Sequence, residues 1–154
     1  MVTHENWRDI AGRMQGKCHI LPVRIYFEDT DFSGVVYHAS YMRFCERGRS
    51  DFMRHIGVDH AKLFASDNEG HGKLAFAVRH MEIDFLKPAR IDDILEVKTS
   101  LVSTTGVRLR LEQNVMIGDK HLLKALVSVV LLGDTGRITR FPNTLLTKLR
   151  DYLS

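Results

Sequence analysis

The amino-acid sequence predicts an α+β fold in which a curved, mainly antiparallel β-sheet wraps one long central helix. Between Ser40 and Ile56, apolar residues recur at steps of three and four, which is typical of an amphipathic helix. After Lys73 the period changes to two, and the segments that follow alternate or are continuously apolar, which is typical of strands. One sheet packed on one helix accommodates this order of elements.

The amino-acid composition excludes several classes of protein. The 154 residues suffice for one domain with a buried core. Apolar residues make up 44% and charged residues 27%, which excludes a wholly disordered chain. The net charge is only +3, and basic and aromatic residues do not interleave, which argues against a nucleic-acid binder. We predict a leader of unknown role over residues 1–17 and a single domain over residues 18–154.

The cysteines and the N-terminal segment predict the compartment. Cys18 and Cys45 have no CxxC spacing, so we expect free thiols in a reducing compartment. The first 17 residues contain no continuous apolar run, so we expect neither a signal peptide nor a transmembrane segment. We therefore expect a cytoplasmic protein, with peripheral attachment to the inner membrane as an alternative.

The elements before the sheet follow from local signals. The β-forming run "CHILPVRIYF", residues 18–27, predicts a first strand. Ser40 is the predicted N-cap of the long helix, and Gly57 is its predicted stop. A second short helix is predicted at about residues 60–66. The apolar stripe of the long helix should face the sheet, and Gly48 on it should allow close approach. Its members are Tyr41, Phe44, Cys45 and Phe52.

Four strands and a closing helix follow. Alternation around residues 81–85 predicts one strand, and residues 95–101 and 107–117 predict two more. The turns "TTG" and "GDK" make the last three strands hairpin neighbours. The run "LLKALVSVVLL" is apolar in both registers and should lie in mid-sheet. A short helix is predicted over residues 143–152. The exposed edges of such a sheet predict a homodimer.

The connection "EDTDFSGVVYHASY", residues 28–41, is unusual for its charged side chains. Glu28, Asp29, Asp31 and His38 fall within eleven residues. A lone aspartate here would most often be a turn residue bonded to its own backbone. A lone histidine before a helix is most often a cap or a surface residue.

The longer segment "YFEDTDFSGVVYHASYMRFCERGR" resembles the signature of the hotdog-fold acyl-CoA thioesterases, in the hydroxybenzoyl-CoA thioesterase-like superfamily. The resemblance is closest to the YbgC branch, which is associated with the Tol–Pal genes, and extends over roughly residues 19–142. It implies the hotdog fold, hydrolysis of acyl-CoA to a carboxylic acid and free CoA, and a homodimer or tetramer. It implies no cofactor.

The resemblance also implies the site. Asp31 is the expected catalytic carboxylate, as nucleophile or as general base, while Asp29 bonds the turn and Glu28 is a solvated strand end. Gly34 bends the chain so that the N-terminus of the central helix polarises the thioester carbonyl. His38 supplies a backbone N–H there, and its imidazole is a second candidate for orienting Asp31 or water. The expected substrate-binding residues are Gly34, Val35, Val36, Tyr37 and Tyr41.

The sequence also predicts binding partners and leaves one alternative function open. The expected substrate is acyl-CoA, with acyl carrier protein as a second carrier. Lys73, Arg79, Arg108 and Arg110 are candidates for the CoA phosphates. The other histidines show no metal-ligand spacing, so no metal site is expected. They are His4, His19, His55, His60, His71, His80 and His121. The alternative function is a non-catalytic acyl-CoA or acyl-carrier-protein binding module of a membrane-associated complex.

Overall fold

The computed structural model of the chain describes residues 10–65, 67–68 and 70–154. Within this part, seven strands form one antiparallel sheet and three helices accompany it. The strands are β1 (Arg13–Gln15), β2 (Cys18–Arg24), β3 (Ala75–Phe85), β4 (Ile94–Thr104), β5 (Arg108–Ile117), β6 (Lys120–Leu132) and β7 (Ile138–Thr139). The helices are α1 (Ser40–His55), α2 (His60–Ala65) and α3 (Asn143–Arg150).

The sheet confirms the predicted pairings. Its order is β1-β2-β4-β5-β6-β3, and β7 also pairs with β6. The two predicted hairpins, β4 with β5 and β5 with β6, are both present. The continuously apolar β6 lies between β5 and β3, so it is buried in mid-sheet as expected. The 11-residue strand β3 pairs only with β6 among the described residues and leaves one long edge unpaired.

The apolar stripe of α1 packs on the sheet as predicted. Tyr41, Phe44, Cys45 and Phe52 are all buried. Gly48 permits the close approach, because a Cβ there would lie 2.9 Å from Cγ1 of Val97. The sheet therefore wraps the long helix, as the sequence predicts. None of the described helices is long and apolar enough to cross a membrane.

The ends of two elements differ from the sequence prediction. The strand expected to reach Phe27 ends at Arg24, and Phe27–Asp29 forms one 3-10 turn that includes Glu28. Ser40 is the first residue of α1 rather than its N-cap, which is Ala39. The Ser40 hydroxyl donates instead to the carbonyl of Asp29 at 3.0 Å, so tertiary contact replaces the local cap.

The sheet begins inside the predicted leader. Arg13–Gln15 pairs with β2 through Gly16, which adopts φ 62° in the turn. The first part of the leader, residues 1–9, lies outside the described residues, as does Ser66 at the predicted end of the second helix. The helix predicted over residues 143–152 ends at Arg150. Gly57, the predicted stop of α1, has φ 91° and donates its N–H to the Arg54 carbonyl at 3.0 Å.

Candidate active site

The connection between β2 and α1 folds into a tight loop around Gly34. The N–H of Asp31 donates to the Val35 carbonyl at 2.9 Å, and the N–H of Gly34 donates to the Asp31 carbonyl at 3.0 Å. Gly34 adopts φ 86°, a conformation that favours glycine. Thr30 and Val36 then face each other in an antiparallel bridge. The predicted bend at Gly34 is therefore present, and Asp31 lies at the start of it.

Asp29 anchors this loop to its surroundings. Its carboxylate accepts the N–H of Tyr26 at 2.9 Å and lies 3.8 Å from the Arg43 guanidinium. Its carbonyl accepts the N–H of Tyr37 at 2.9 Å as well as the Ser40 hydroxyl. Asp29 is buried, and its bonds tie the loop to the first turn of α1. The carboxylate of Asp29 is thus engaged in structure.

The carboxylate of Asp31 is more accessible. Its Oδ1 accepts hydrogen bonds from the N–H of Ser33 at 2.8 Å and from the Ser33 hydroxyl. The Ser33 hydroxyl is the main reason that the pKa of Asp31 lies below its ordinary value, with the Ser33 and Val35 backbone adding to the effect. The second oxygen, Oδ2, makes no hydrogen bond to the described residues. Asp31 is therefore an ionised carboxylate with one oxygen available to a ligand.

The start of α1 presents free donors. The N–H groups of His38, Ala39 and Tyr41 have no hydrogen-bond acceptor within the described part of the chain. The first turn of α1 contains no acidic residue. The positive end of the helix dipole is therefore not neutralised by its own side chains. Such a helix start favours negative charge developing on a bound group.

A cavity of about 310 Å³ opens beside this helix start. The imidazole of His38 lies in its wall, with its ring centroid 4.4 Å from that of Tyr37 and 6.3 Å from that of Phe85. The imidazole makes no hydrogen bond to the described residues, so its nitrogens are free for a ligand. The cavity is lined by Val36, His38, Tyr41, Phe85, Leu86, Lys87 and Pro88.

The cavity includes only part of the predicted substrate-binding set. Val36 and Tyr41 line it together with His38, whereas Gly34, Val35 and Tyr37 do not. Val35 instead forms a bridge with Arg90, and Tyr37 remains half-exposed beside the imidazole. Sequence reasoning missed the wall at the end of β3, which includes Phe85, Leu86, Lys87 and Pro88. The sequence signal that could have indicated this wall is the apolar end of the alternating β3 segment, just before Pro88.

Three of the four predicted phosphate-binding side chains share a second cavity. Arg79, Arg108 and Arg110 line it together with His80 and Ser128, and Lys73 does not. In the register of the sheet, Arg110 and His80 both face Ser128 on β6. None of the three guanidinium groups forms an ion pair with a described residue. This part of the sheet surface is therefore an uncompensated basic patch.

Cys45 is not a candidate nucleophile. Its side chain is buried under the sheet, and burial raises the pKa of the thiol to about 11. The thiol therefore stays protonated at neutral pH.

Comparisons with known proteins identify the family. The family model described as "Thioesterase superfamily" matches residues 33–124, a range that begins two residues after Asp31. The YbgC acyl-CoA thioester hydrolase of Escherichia coli O6:H1 is 40% identical over 113 residues, covering 73% of this chain and 80% of that protein. The YbgC acyl-CoA thioesterase of Haemophilus influenzae is 38% identical over 117 residues, covering 76% and 82%.

Solved structures show the same architecture. A probable thioesterase from Bartonella henselae is 46% identical with a TM-score of 0.76, covering 81% of this chain and 99% of that one. A thioesterase from Thermus thermophilus, solved in complex with coenzyme A and Zn, is 27% identical with a TM-score of 0.74, covering 90% and 96%. The resemblance in residues 26–49 is thereby confirmed. The chain belongs to the thioesterase superfamily and is a thioesterase with the hotdog fold.

Proposed function

We propose that this thioesterase hydrolyses acyl-CoA and that the reaction takes place between the Asp31 loop and the start of α1. One observation carries the proposal. An ionised carboxylate lies on a loop that is hydrogen-bonded to a helix start, and three N–H groups of this start have no acceptor among the described residues. Thioester hydrolysis requires both a nucleophile or base and donors for an oxyanion. Support for the substrate comes from the names of the curated relatives and from the neighbour solved with coenzyme A.

The two parts of the site have complementary roles. The thioester carbonyl oxygen accepts hydrogen bonds from the free N–H groups of His38 and its neighbours, which stabilise the negative charge of the tetrahedral intermediate. As general base, Asp31 takes a proton from the attacking water and passes it to the departing thiolate of CoA, so that the carboxylic acid and free CoA are released and the Asp31 carboxylate is restored. As nucleophile, Asp31 forms an anhydride with the acyl group while the thiolate leaves, and water then hydrolyses the anhydride. Its low pKa supplies the required anion in both routes.

The acyl group occupies the apolar part of the cavity beside the helix start. Val36 and Tyr41 form one wall, and Phe85 and Leu86 form the other. The CoA phosphates require cations, for which the patch of Arg79, Arg108 and Arg110 provides uncompensated guanidinium groups.

We further propose that the working unit is a homodimer or a tetramer. The unpaired edge of β3 is long and carries exposed apolar side chains, including Val78 at 46% exposure and Phe85 at 53%. Such an edge favours pairing with another strand. Antiparallel pairing of two β3 edges about His80 would bring Phe85 of one copy opposite Ala75 of the other. The active-site cavity would then lie at the boundary between subunits.

Exposed aromatic rings around the catalytic loop support the same assembly. Relative exposure is 60% for Tyr26, 81% for Phe27, 107% for Phe32 and 48% for Tyr37. Aromatic groups are enriched at protein interfaces, where burial of their large apolar area stabilises the complex. A second subunit or the acyl-CoA would cover them.

The direct test is hydrolysis of a panel of acyl-CoA and acyl-carrier-protein thioesters, followed with a thiol reagent. Asp31→Asn keeps the shape of the side chain and removes its charge, so turnover should fall to near background while acyl-CoA still binds. Asp29→Asn is the control, because that carboxylate stabilises the loop. Its loss should lower the melting temperature and leave most of kcat intact. Wild-type-like turnover by Asp31→Asn would refute the mechanism. Binding without turnover by the wild type would instead favour the non-catalytic binding module.

A further inference from the structure

A second cluster of polar side chains lies between β2 and α1, away from the proposed catalytic loop. It consists of His19 on β2 and Asp51 and His55 on α1. Asp51 is eleven residues beyond Ser40 at the helix start. At 1.5 Å per residue, this separation is about 16 Å along the helix axis. The cluster therefore has no part in the chemistry proposed above.

The ligand-type atoms of the three side chains converge on one point. Nε2 of His19 lies 2.7 Å from Oδ2 of Asp51, and Nε2 of His55 lies 3.4 Å from the same oxygen. All three residues offer atoms within 4.8 Å of one another. Ligands bound to one tetrahedral Zn²⁺ at about 2 Å are separated by roughly 3.3 Å. Small side-chain movements would bring the three atoms to that spacing.

The three side chains of the cluster differ in their exposure. The His19 side chain is fully buried, whereas Asp51 is 17% exposed and His55 is 35% exposed. Arg54 donates to Oδ1 of Asp51 at 2.8 Å, which leaves Oδ2 for the imidazoles. The backbone of Gly12 lies over the cluster so closely that a Cβ there would overlap Oδ2 of Asp51. This arrangement provides three protein ligands, two of which are partly exposed to solvent.

Only one nitrogen of the His19 ring belongs to the cluster. Nε2 of His19 faces Asp51, while Nδ1 is buried and has no hydrogen-bond partner among the described residues. Nε2 of His55 is directed at the same carboxylate oxygen as Nε2 of His19, so both rings present a nitrogen to one point. Imidazole nitrogens are common metal ligands.

We propose that His19, Asp51 and His55 bind one divalent transition-metal ion, with Zn²⁺ as the first ion to test. Two imidazoles and a carboxylate are ligands that Zn²⁺ accepts in a tetrahedral site. The ion would brace β2, and with it the β1–β2 hairpin, against the second half of α1. No metal site was expected from the spacing of the cysteines and histidines. That expectation did not consider an aspartate and a histidine four residues apart on one helix face.

Metal binding to the chelator-treated protein tests the proposal without an activity assay. Co²⁺ is titrated by its visible absorption, and Zn²⁺ is titrated by calorimetry and by the shift in melting temperature. The wild type should bind one ion per chain in the micromolar range or tighter, with the Co²⁺ spectrum of a tetrahedral site and a higher melting temperature. His55→Ala and Asp51→Asn should weaken binding by about 100-fold or more, since each loses a direct ligand.

His80→Ala is the matched control, because that imidazole also lies 3.4 Å from a carboxylate, that of Glu82, but has no second histidine beside it. It should bind metal like the wild type. Since His55 is partly exposed, its alanine variant should fold, and circular dichroism checks this. The proposal is overturned if the wild type shows no saturable binding up to millimolar metal. It is also overturned if folded His55→Ala or Asp51→Asn binds as the wild type does.

Discussion

At the scale of single residues, the site depends on the different use of two neighbouring carboxylates. Asp29 is buried and bonds the loop, whereas the carboxylate of Asp31, among the described residues, bonds only Ser33 and leaves Oδ2 without a hydrogen bond. The aspartate pair was visible in the sequence, but the division of roles between its members rested on resemblance. The contacts of Ser33 could not be predicted, because they depend on the turn that Gly34 makes.

Ser33→Ala should shift the pH dependence of the reaction. The Ser33 hydroxyl is the largest contribution that lowers the pKa of Asp31, so its removal should raise that pKa toward the ordinary value. The active form carries the ionised carboxylate and is lost as pH falls through this pKa. The acidic limb of the profile of log kcat/KM should therefore move to higher pH in the variant, with little change above pH 7. An unmoved limb would show that the carboxylate of Asp31 does not control it.

His38→Ala separates the imidazole from the backbone donor at the same residue. The imidazole has no partner in the described chain and lies in the cavity wall, so we expect it to bond the substrate or the attacking water. The variant should lose about 10²-fold in kcat, the usual scale for an acid–base partner. Tyr37→Phe is a control that keeps an aromatic ring beside residue 38. A near-normal rate for His38→Ala would leave the helix N–H groups as the donors and assign no role to the imidazole.

At the scale of elements, the long helix was predicted well because its burial period is strong and uninterrupted. The hairpins β4–β5 and β5–β6 were predicted because their turn residues are local signals. The pairing of β3 with β6 was outside the reach of sequence reasoning, since it joins strands far apart along the chain. The short strand β1 was missed because three residues carry too little periodicity to be recognised.

Gly48→Val tests how closely α1 lies on the sheet. The added Cβ would meet Cγ1 of Val97 at 2.9 Å and Oγ1 of Thr99 at 3.2 Å, and both side chains are fully buried. Overpacking of this kind costs about 2–3 kcal/mol, which corresponds to a fall in melting temperature of roughly 4–12 °C at this size. Arg47→Val on the exposed neighbouring position is the control and should change the melting temperature little. An equally stable Gly48→Val protein would show that the helix and the sheet have room to separate.

At the scale of the whole molecule, the isolated chain has an unpaired edge, an uncompensated basic patch and exposed rings around the loop. The edge and the basic residues were predicted only in outline, because the sequence indicates an edge but not which strand forms it, and the exposed rings were not predicted. The edge, the patch and the rings lie on β3, β5 and the catalytic loop. Assembly and substrate binding would therefore use neighbouring surfaces.

Val78→Asp should disrupt the proposed pairing of β3 edges. The change puts a charge on the exposed apolar edge in both copies of a symmetric dimer, which disfavours their contact. Sedimentation velocity should show a shift to monomer, and acyl-CoA hydrolysis should fall with it. Val102→Asp is the matched control, because Val102 is 40% exposed, against 46% for Val78, but lies on the inner strand β4. A fully active Val78→Asp monomer would contradict the claim that the site lies at a subunit boundary.

The most direct test of the central claim is a crystal structure of Asp31→Asn with an intact acyl-CoA bound. The account predicts the thioester carbonyl oxygen at about 3 Å from one or more backbone N–H groups of residues 38, 39 and 41. It also predicts the side chain of residue 31 next to the carbonyl carbon and the acyl chain between Tyr41 and Phe85. A thioester bound with its carbonyl away from the start of α1, and out of reach of residue 31, would contradict the account.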